Sequence, residues 1–499
     1  MNNIKAFISE LGTKLDGLLD HFTTYRLVLY FLLALLGWGV LGSFFDQVPY
    51  SWHAILASAA WLVAVCWIVN KVLSRFLDIP ANNESDLITA LILALILSPA
   101  SSVNNFLVLA AAGAAAIASK YLITLYKSHL FNPAAAGAFV AGAVFHQYAS
   151  WWVGTKFITP LVVIGGILIL RKMKRFGMVA VFLAVFGTCL VWSLPVGSST
   201  DAVHHLVWLS LISTPVLFLA VVMLTEPLTS PPQINAYLAY AIVVGLLYSL
   251  HRLHFSPEEA LLAGNAFAFL IAPRRRYKLQ FISRTQEADE IYSYKFRPPR
   301  KINFKAGQYM EWTIAENKSD SRGNRRYLTI SSSPTESEMM FTIKHPKDAS
   351  AFKKRLDALK PGDAILASYL AGSFNLPPDA SKKMVFMAGG VGITPFRSMI
   401  KYLVDSRQKL DATLIYSVNK PEEIAFRPLF AQASTNGLKS FYTNIIDKDM
   451  LAANVPDYHE RTFYISGPYG FVRAMEKNLL ELGVGIQHIV TDYFPGYGG

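Results

Sequence analysis

Cysteine is nearly missing from this chain: Cys66 and Cys189 are the only two in 499 residues. A four-thiolate iron–sulfur cluster built from this chain alone is thereby excluded. No disulfide framework is implied either. Both cysteines lie inside apolar runs and read as small buried hydrophobes. Charge is scarce as well, at 16% of residues, against roughly 25% in a soluble protein. Acidic residues are the rarer sign, 34 against 46 basic, which leaves a net charge of +12. That excess does not read as a nucleic-acid surface, because many of the cations flank apolar runs, as in Arg171-Lys-Met-Lys-Arg175 and Arg274-Arg-Arg276. Their expected partners are anionic lipid headgroups and the membrane potential. Residues 1–23 are polar and amphipathic and do not resemble a cleaved signal peptide.

What the chain does have is apolar sequence, 53% hydrophobic with mean hydropathy +0.34, concentrated in the first half. The run from Tyr25 to Phe45 is long enough to span a bilayer. Spans are expected near 25–45, 53–70, 86–98, 105–120, 132–147, 157–170, 177–194, 204–223, 236–250 and 259–273. Several are short for a hydrocarbon core of ~30 Å. Leu87–Leu97, which ends at Ser98-Pro99, is the clearest case. Broken helices are tolerated in a bilayer only when packed inside protein or lining a cavity. In a ten-span arrangement Lys71, Arg75, Lys120, Lys127, Arg171 to Arg175 and Arg274 to Lys278 fall on one side. The other side carries only Lys156 and Arg252. Both termini are therefore expected in the cytoplasm, with the chain in the plasma membrane. Residues 1–24 form a cytoplasmic segment and 25–273 the membrane domain. A weak internal repeat relates Leu97-Ser-Pro-Ala-Ser-Ser102 to Leu224-Thr-Glu-Pro-Leu-Thr-Ser230, and Phe131-Asn-Pro-Ala-Ala-Ala-Gly137 to Gly264-Asn-Ala-Phe-Ala268. Five spans per half would invert the second half, and broken segments in such folds meet near the midplane. Thr225, Asn132 and Asn265 are the candidate cofactor contacts there. Helix capping or bonds between spans would equally explain the two asparagines.

The second half reads as soluble α/β sequence. Met387-Ala-Gly-Gly-Val-Gly-Ile-Thr-Pro395 lies between a strand and a helical pattern. Gly389, Gly390 and Gly392 let the backbone approach a phosphate, and the helix start at Ile393, Thr394 and Pro395 would face the anion. Ahead of it, strands are expected at 278–284, 290–297, 308–314, 327–331, 339–344 and 364–369, with a helix at 351–359. This is the pattern of a small antiparallel barrel, placed at 277–380. Beyond it, 381–499 alternates strand and helix as a doubly wound parallel sheet. Backbone amides at Ser350-Ala-Phe-Lys353 can hold a pyrophosphate. Gly372-Ser373 and the residues to Pro377 close the barrel. After Val418, Glu422 or Glu423 could accept from a ribose 2′-hydroxyl, favouring NADH, while Lys420 could meet a 2′-phosphate.

Two resemblances follow from these residues. Phe131-Asn-Pro-Ala and Met223-Leu-Thr-Glu-Pro-Leu-Thr-Ser-Pro-Pro232 resemble the membrane subunits called B in the sodium-translocating NADH:quinone reductase (Nqr) and D in the Rnf complex. This implies flavin in the membrane domain, often FMN bound covalently to a threonine. The nearest acceptor segment is Val153-Gly-Thr-Lys-Phe-Ile-Thr-Pro-Leu161. Val153 and Lys156 break the family pattern, so a non-covalent FMN or riboflavin, or a quinone, is expected rather than attachment at Thr159. Thr159 reads equally as a helix N-cap. The soluble half resembles the ferredoxin–NADP reductase superfamily. Arg325-Arg-Tyr-Leu-Thr-Ile-Ser-Ser-Ser-Pro334 is similar to its flavin motif, with Arg326 toward the FAD pyrophosphate and Thr329 near flavin N5. Leu328 stands at the usual aromatic position, and Tyr327 is the aromatic that could supply stacking instead. Ser350, Phe352, Lys353, Gly372 and Ser373 are the further FAD candidates. Tyr464-Ile-Ser-Gly-Pro-Tyr-Gly470 resembles the Cys-Gly-Pro motif, with Ser466 for the cysteine beside Gly467 and Pro468. Thr491-Asp-Tyr-Phe-Pro-Gly-Tyr497 is similar to the closing Glu-x-Phe, with Asp492 for Glu and Phe494 or Tyr497 over the flavin.

The expected function is a membrane flavoenzyme. It takes hydride from NADH or NADPH onto FAD and passes electrons to a membrane flavin or quinone. Ion transport and partner redox subunits are open possibilities. A haem-type transmembrane reductase is one alternative, although His53, His129, His146, His204, His205, His251 and His254 sit at or near span ends without paired spacing. A transporter or sensor with a regulatory reductase domain is the other.

Overall fold

The computed structural model describes residues 15, 19, 22–77, 83–126, 128–195, 199–249, 255–273, 275–314, 325–345, 350–377, 379, 382–408 and 410–494, with backbone alone at 83, 493 and 494. Lys127, His251, Arg252, His254, Arg274 and Tyr497 lie outside the described residues. The chain divides into two compact units, Met1–Arg275 and Arg276–Gly499.

The first unit is helical, with a helix at each position expected from the apolar runs: α1 (Thr24–Phe44), α2 (Trp52–Phe76), α3 (Asn83–Ile96), α4 (Val103–Leu122), α5 (Pro133–Phe145), α6 (Thr159–Met173), α7 (Phe176–Trp192), α8 (Thr200–Ser213), α9 (Val216–Phe218, continued by a π-helical turn Leu219–Met223), α10 (Ile234–Ser249) and α11 (Pro257–Ile271). Among the described residues three of these, α1, α2 and α4, are long and apolar enough to cross a membrane. A fourth span is possible if α8 and α9, bent by 65°, count as one. The expected helices are thus present, while ten crossings are not established. The shortness of α3 has a packing reason. Ala90 to Leu97 are all buried, so the helix is wrapped by its neighbours on every side. Its broken end is held where the Ala100 amide donates to Ser58 Oγ at 2.7 Å. Helices α4 and α5 meet closely because position 137 is glycine: a Cβ there would strike the Ala112 carbonyl and come within 2.9 Å of Ala116 Cβ. A two-residue ribbon, β1 (Thr124–Leu125) with β2 (Ser128–His129), was not expected. Cys66 is buried, but Cys189 is only partly so, which corrects the expectation for the second thiol.

The second unit begins with six antiparallel strands: β3 (Tyr277–Ala288), β4 (Ile291–Arg297), β5 (Tyr309–Thr313), β6 (Arg325–Thr329), β7 (Met339–Lys344) and β8 (Ala364–Ala371), with α12 (Ala351–Asp357) between the last two. Their order is β6-β5-β8-β3-β4-β7. The ends of the order meet where the Ser331 amide donates to the Met340 carbonyl at 2.8 Å. Trp312, Phe341, Phe296 and Tyr294 fill the interior with ring centroids 4.5 to 5.8 Å apart.

A parallel sheet follows, with β9 (Met384–Gly389), α13 (Ile393–Asp405), β10 (Ala412–Ser417), α14 (Arg427–Ser434), β11 (Leu438–Thr443), α15 (Lys448–Asn454), β12 (Thr462–Pro468), α16 (Tyr469–Glu481) and β13 (Ile489–Phe494). Its order is β11-β10-β9-β12-β13. Separate apolar clusters cover the two faces, as a doubly wound sheet requires. The sequence reading missed α15 and missed that the closing motif is an edge strand. Barrel and sheet are joined by apolar and polar contacts. Phe374 buries its ring against Phe396 and Tyr464, at 5.7 and 5.5 Å. Arg397 on α13 forks onto Glu336 and donates to the Ser331 carbonyl at 3.1 Å. Ser398 donates to the Ser332 carbonyl at 2.6 Å.

At the opposite end of the sheet, Arg461 braces the strand starts. It donates to the Asp411 carbonyl at 3.2 Å and forks onto Asp457 at 2.6 and 2.9 Å. The Arg461 bonds, helped by Lys383, pull the Asp457 carboxyl down to about 2. An unfolded aspartate titrates near ~3.9. The pair therefore stabilises the fold above about pH 4, and that contribution fades as pH falls through about 2. Urea midpoints of residues 276–499 and of Asp457→Asn should differ at neutral pH and converge on acidification between those limits. A gap that stays constant would show that Asp457 contributes nothing through its charge.

Candidate functional site

Strand β9 ends in Gly389, turns through a 3-10 segment Gly390–Gly392, and enters α13. The three glycines have different jobs. A Cβ on Gly392 would collide with the Ser466 carbonyl and lie 2.7 Å from Gly467 Cα. A Cβ on Gly389 would lie 2.9 Å from the Phe471 ring, and so would one on Gly467. These glycines let the ends of β9 and β12 close on each other around Phe471, a residue that sequence reading did not single out. Gly390 differs: its φ is +53° and nothing lies within 4 Å of its Cβ position. It is the glycine that presents bare backbone to open space. The expectation that all three approach a phosphate is corrected accordingly. Thr394 is buried and donates to the Val391 carbonyl at 3.0 Å, tying the turn to the helix, and Ile393 and Pro395 are buried beside it.

Ser466 lies on β12 across from Ala388. It is fully buried, and its hydroxyl has no hydrogen-bond partner among the described residues. An unmade bond of this kind costs about 1–3 kcal/mol. Its place at the carboxyl ends of β9 and β12 is where doubly wound sheets bind their ligands. Parallel pairing sets Asp492 beside Ser466 and the Phe494 backbone beside Pro468. The motifs at the glycine turn, at Ser466-Gly467-Pro468 and at the chain's closing strand thus meet at one sheet end.

On the barrel, Arg326 extends over the Phe352 ring at 5.1 Å and donates to the Arg325 carbonyl at 2.7 Å. Ser350 caps α12 by accepting from the Lys353 amide at 3.4 Å, and Lys353 Nζ donates to the Lys344 carbonyl at 2.6 Å. Arg326, Ser350, Phe352 and Lys353 are therefore brought together, as a pyrophosphate cradle needs. Thr329 is buried, and Leu328 is half-buried against the barrel core. Tyr327 lies on the opposite face of β6 from Arg326 and Leu328. Gly372 takes φ +118° and its carbonyl accepts from Gln308 and Asn375 at 3.4 and 3.2 Å, while Ser373 is exposed. Beyond β10, the Glu423 carboxylate accepts from the Asn419 amide at 3.0 Å and so shapes its own turn. Glu422 and Lys420 are exposed there. The donor set and the bare Gly390 backbone fit FAD and a nicotinamide dinucleotide.

The first unit contains an open pocket of about 600 Å³, lined among others by Ser85, Thr89, Asn132, Val222, Thr225 and Glu226. Asn132 caps α5 through the Ala135 amide at 3.0 Å and donates to Glu226 at 2.8 Å. Its own amide donates to Asn265 Oδ1 at 2.9 Å, and Asn265 donates to the Tyr240 hydroxyl at 2.9 Å. The repeat-related asparagines thus meet, but their amides are engaged with protein, as capping and cross-helix bonds. Asn265 lines a different, smaller hollow with His129, Thr229 and Phe269. Thr225 is buried and donates to the Val221 carbonyl at 2.8 Å. Thr159 is the first residue of α6, with Ile158 rather than Thr159 at the cap position. The Thr159 hydroxyl is within 2.9 and 3.1 Å of the Thr155 and Ile212 carbonyls.

Residues 386–477 match the oxidoreductase NAD-binding domain family. The chain is 27% identical over 215 residues to NADH oxidoreductase HCR of Escherichia coli (strain K12), covering 42% of this chain and 65% of that protein. It is 26% identical over 242 residues to the stachydrine N-demethylase reductase subunit Stc4 of Rhizobium meliloti (strain 1021), covering 44% and 67%. It is 25% identical over 240 residues to a flavohemoprotein of Bacillus cereus (strain ATCC 10987 / NRS 248), covering 43% and 59%. The chain thus spans about two thirds or less of these relatives. The C-terminal half is thus similar to NAD(P)H-dependent flavin reductases and contains the match to an oxidoreductase NAD-binding domain.

Replacing Arg326 by Ala should remove a charged hydrogen-bond donor from the cradle, worth roughly 1.5–3 kcal/mol. FAD should wash out on gel filtration, with the fold of residues 276–499 retained by circular dichroism. Unchanged FAD content would move the phosphate contact away from Arg326.

Proposed function

We propose, from the premise that residues 276–499 form a ferredoxin–NADP reductase-like module, that the chain is a membrane flavoenzyme. It oxidises NAD(P)H and passes electrons to a flavin or quinone held by the N-terminal unit. The observation that carries the reading is the sheet end at Gly390 and Ser466. There a bare backbone just past the end of β9 and, on the adjoining strand β12, a buried hydroxyl with no partner among the described residues share one sheet end. The protein's contribution is positional. Gly390 admits the dinucleotide, Ser466 donates to or accepts from its nicotinamide end, and Phe471 and Phe374 keep the surrounding strands fixed. Arg326, Phe352 and the start of α12 hold the FAD pyrophosphate. FAD, when bound, takes up hydride and releases electrons singly. Glu422, exposed in the turn that follows β10, favours NADH by accepting from the ribose 2′-hydroxyl.

The membrane part of the proposal has its own support. Large apolar side chains such as Phe76, Val103, Trp192 and Leu270 are exposed on the helices of the first unit. A surface of that kind fits lipid. On this reading the chain lies in the plasma membrane with ten crossings and both termini cytoplasmic, and the Glu226 pocket is the second redox site. Its occupant is held without a covalent bond, since Thr159 is buried and its hydroxyl is spent on backbone carbonyls. Partner redox subunits and ion transport would be additions to this core reaction.

Purified full-length protein and residues 276–499 alone should both reduce ferricyanide with NADH. The ratio kcat/KM should favour NADH over NADPH, and acid extracts of the full chain should release FAD together with a second flavin or quinone. A C-terminal unit that binds FAD but oxidises neither dinucleotide would refute the enzyme reading. Tenfold preference for NADPH would reverse the role given to Glu422. Extracts with FAD alone would remove the membrane redox site.

A further inference from the structure

The turn that follows β10 has three successive carbonyls, each held by a different element. Arg427 on α14 donates to the Pro421 carbonyl. The Tyr416 hydroxyl, from β10, lies 3.5 Å from the Glu423 carbonyl. The middle carbonyl, that of Glu422, accepts from the Asp289 amide at 3.0 Å, and Asp289 belongs to the barrel. Because the peptide unit is planar, a bond to its carbonyl fixes the plane and with it the direction in which the Glu422 side chain leaves the backbone.

The donor is built to stay in place. Asp289 and Glu290 are the two-residue turn between Ala288 on β3 and its partner Ile291 on β4. Ile291 is buried in the apolar cluster that also contains Ile424 and Phe426, just beyond the 421–423 turn, and Ala288 packs against the same cluster. The tip of a barrel hairpin is thus seated in the core of the nucleotide sheet. Glu290 takes φ +56°, a region that a residue with a Cβ enters only where its surroundings hold it. Its carbonyl accepts from the His345 amide at 2.7 Å, and its carboxylate stands 3.5 Å from Lys344 Nζ. Asp289 itself is exposed, so what it gives the sheet is its backbone N–H.

We propose that the Asp289-Glu290 turn of the barrel is a specificity-determining element. Its Asp289 amide aims Glu422 at the ribose 2′-hydroxyl, so the choice between NADH and NADPH is set partly outside the dinucleotide-binding sheet. Asp289 is a positioning residue acting through Glu422, and the proposal rests on the Glu422 reading given above. Asp289 has a negative φ, Glu290 a positive one, and Ala288 ends a strand. That combination admits proline at 289. Asp289→Pro therefore deletes the donor and sets a ring carbon against the Glu422 carbonyl without opposing the turn.

The test measures kcat and KM for NADH and NADPH, with FAD content, in five full-length proteins: wild type, Asp289→Pro, Asp289→Ala, Glu422→Gln and the Asp289→Pro/Glu422→Gln double variant. Asp289→Pro should lower the NADH preference several-fold, through KM for NADH rather than kcat. Asp289→Ala keeps the amide and should keep the preference. The double variant should lose no more than Glu422→Gln alone, because the carboxylate being aimed is already gone. A proline variant that holds FAD and keeps the wild-type preference overturns the proposal. So do additive losses in the double variant, or an alanine variant that falls as far as the proline one. Hydrogen exchange on the wild type tests the same contact even where Asp289→Pro fails to fold. The 289 amide should exchange slowly, and more slowly with NADH bound, whereas exchange at the rate of an open amide overturns the proposal. An unchanged preference in Glu422→Gln would instead defeat the Glu422 reading itself.

Discussion

Two backbones must touch for the nucleotide half to work as a site. The turn after β9 and the end of β12 approach so closely that a single Cβ at Gly392 would collide with the Ser466 carbonyl. That contact sets the distance between adjacent strand ends, lodges Phe471 against Gly389 and Gly467, and leaves Gly390 as the exposed corner. Gly390 holds φ +53°, which costs an ordinary residue roughly 1–2 kcal/mol. Gly389, Gly392 and Gly467 are therefore kept for shape and Gly390 for access. Ser466 lies on the adjoining strand end, its hydroxyl without a partner among the described residues.

The barrel is registered to the same corner through α13. Its N-terminal turn belongs to the glycine motif, and one turn later Arg397 and Ser398 grip the segment that follows the flavin strand. The link is short and polar, and it is backed by the buried Phe374 ring. Any movement of α13 is thus shared by the dinucleotide turn and by Ser331 and Ser332, just beyond Thr329. Hydride transfer needs two ring systems held in contact, and on the proposed reading a helix shared by both sites would supply that without a dedicated acid or base.

Much of this was legible in the sequence because periodicity and punctuation carry it. The apolar runs located the helices of the first unit, and the barrel strands fell within a few residues of their expected positions. Arg326 and Phe352 are 26 positions apart, and only the motif resemblance linked them before the structure did. The partners of Asn132 were not legible, since a weak repeat says which residues correspond and not whether their amides face a ligand or each other. Nor was the face of Tyr327, which depends on cross-strand register. Short helices such as α3 were read as crossings, yet the same apolar content describes a helix sheathed by its neighbours. The edge strand β13 was hidden because its polar Thr491 and Asp492 interrupt any alternation.

The account stands most directly on Ser466 facing the reacting end of the dinucleotide. Anaerobic stopped-flow mixing of the full chain with NADH, following flavin absorbance, tests it against Ser466→Val. The expected result is that wild-type FAD bleaches promptly. The variant, with the same FAD content, should bleach more slowly even at saturating NADH. FAD that stays oxidised in the wild type under excess NADH and NADPH would contradict the account, and equal rates in the two proteins would place the reacting face elsewhere.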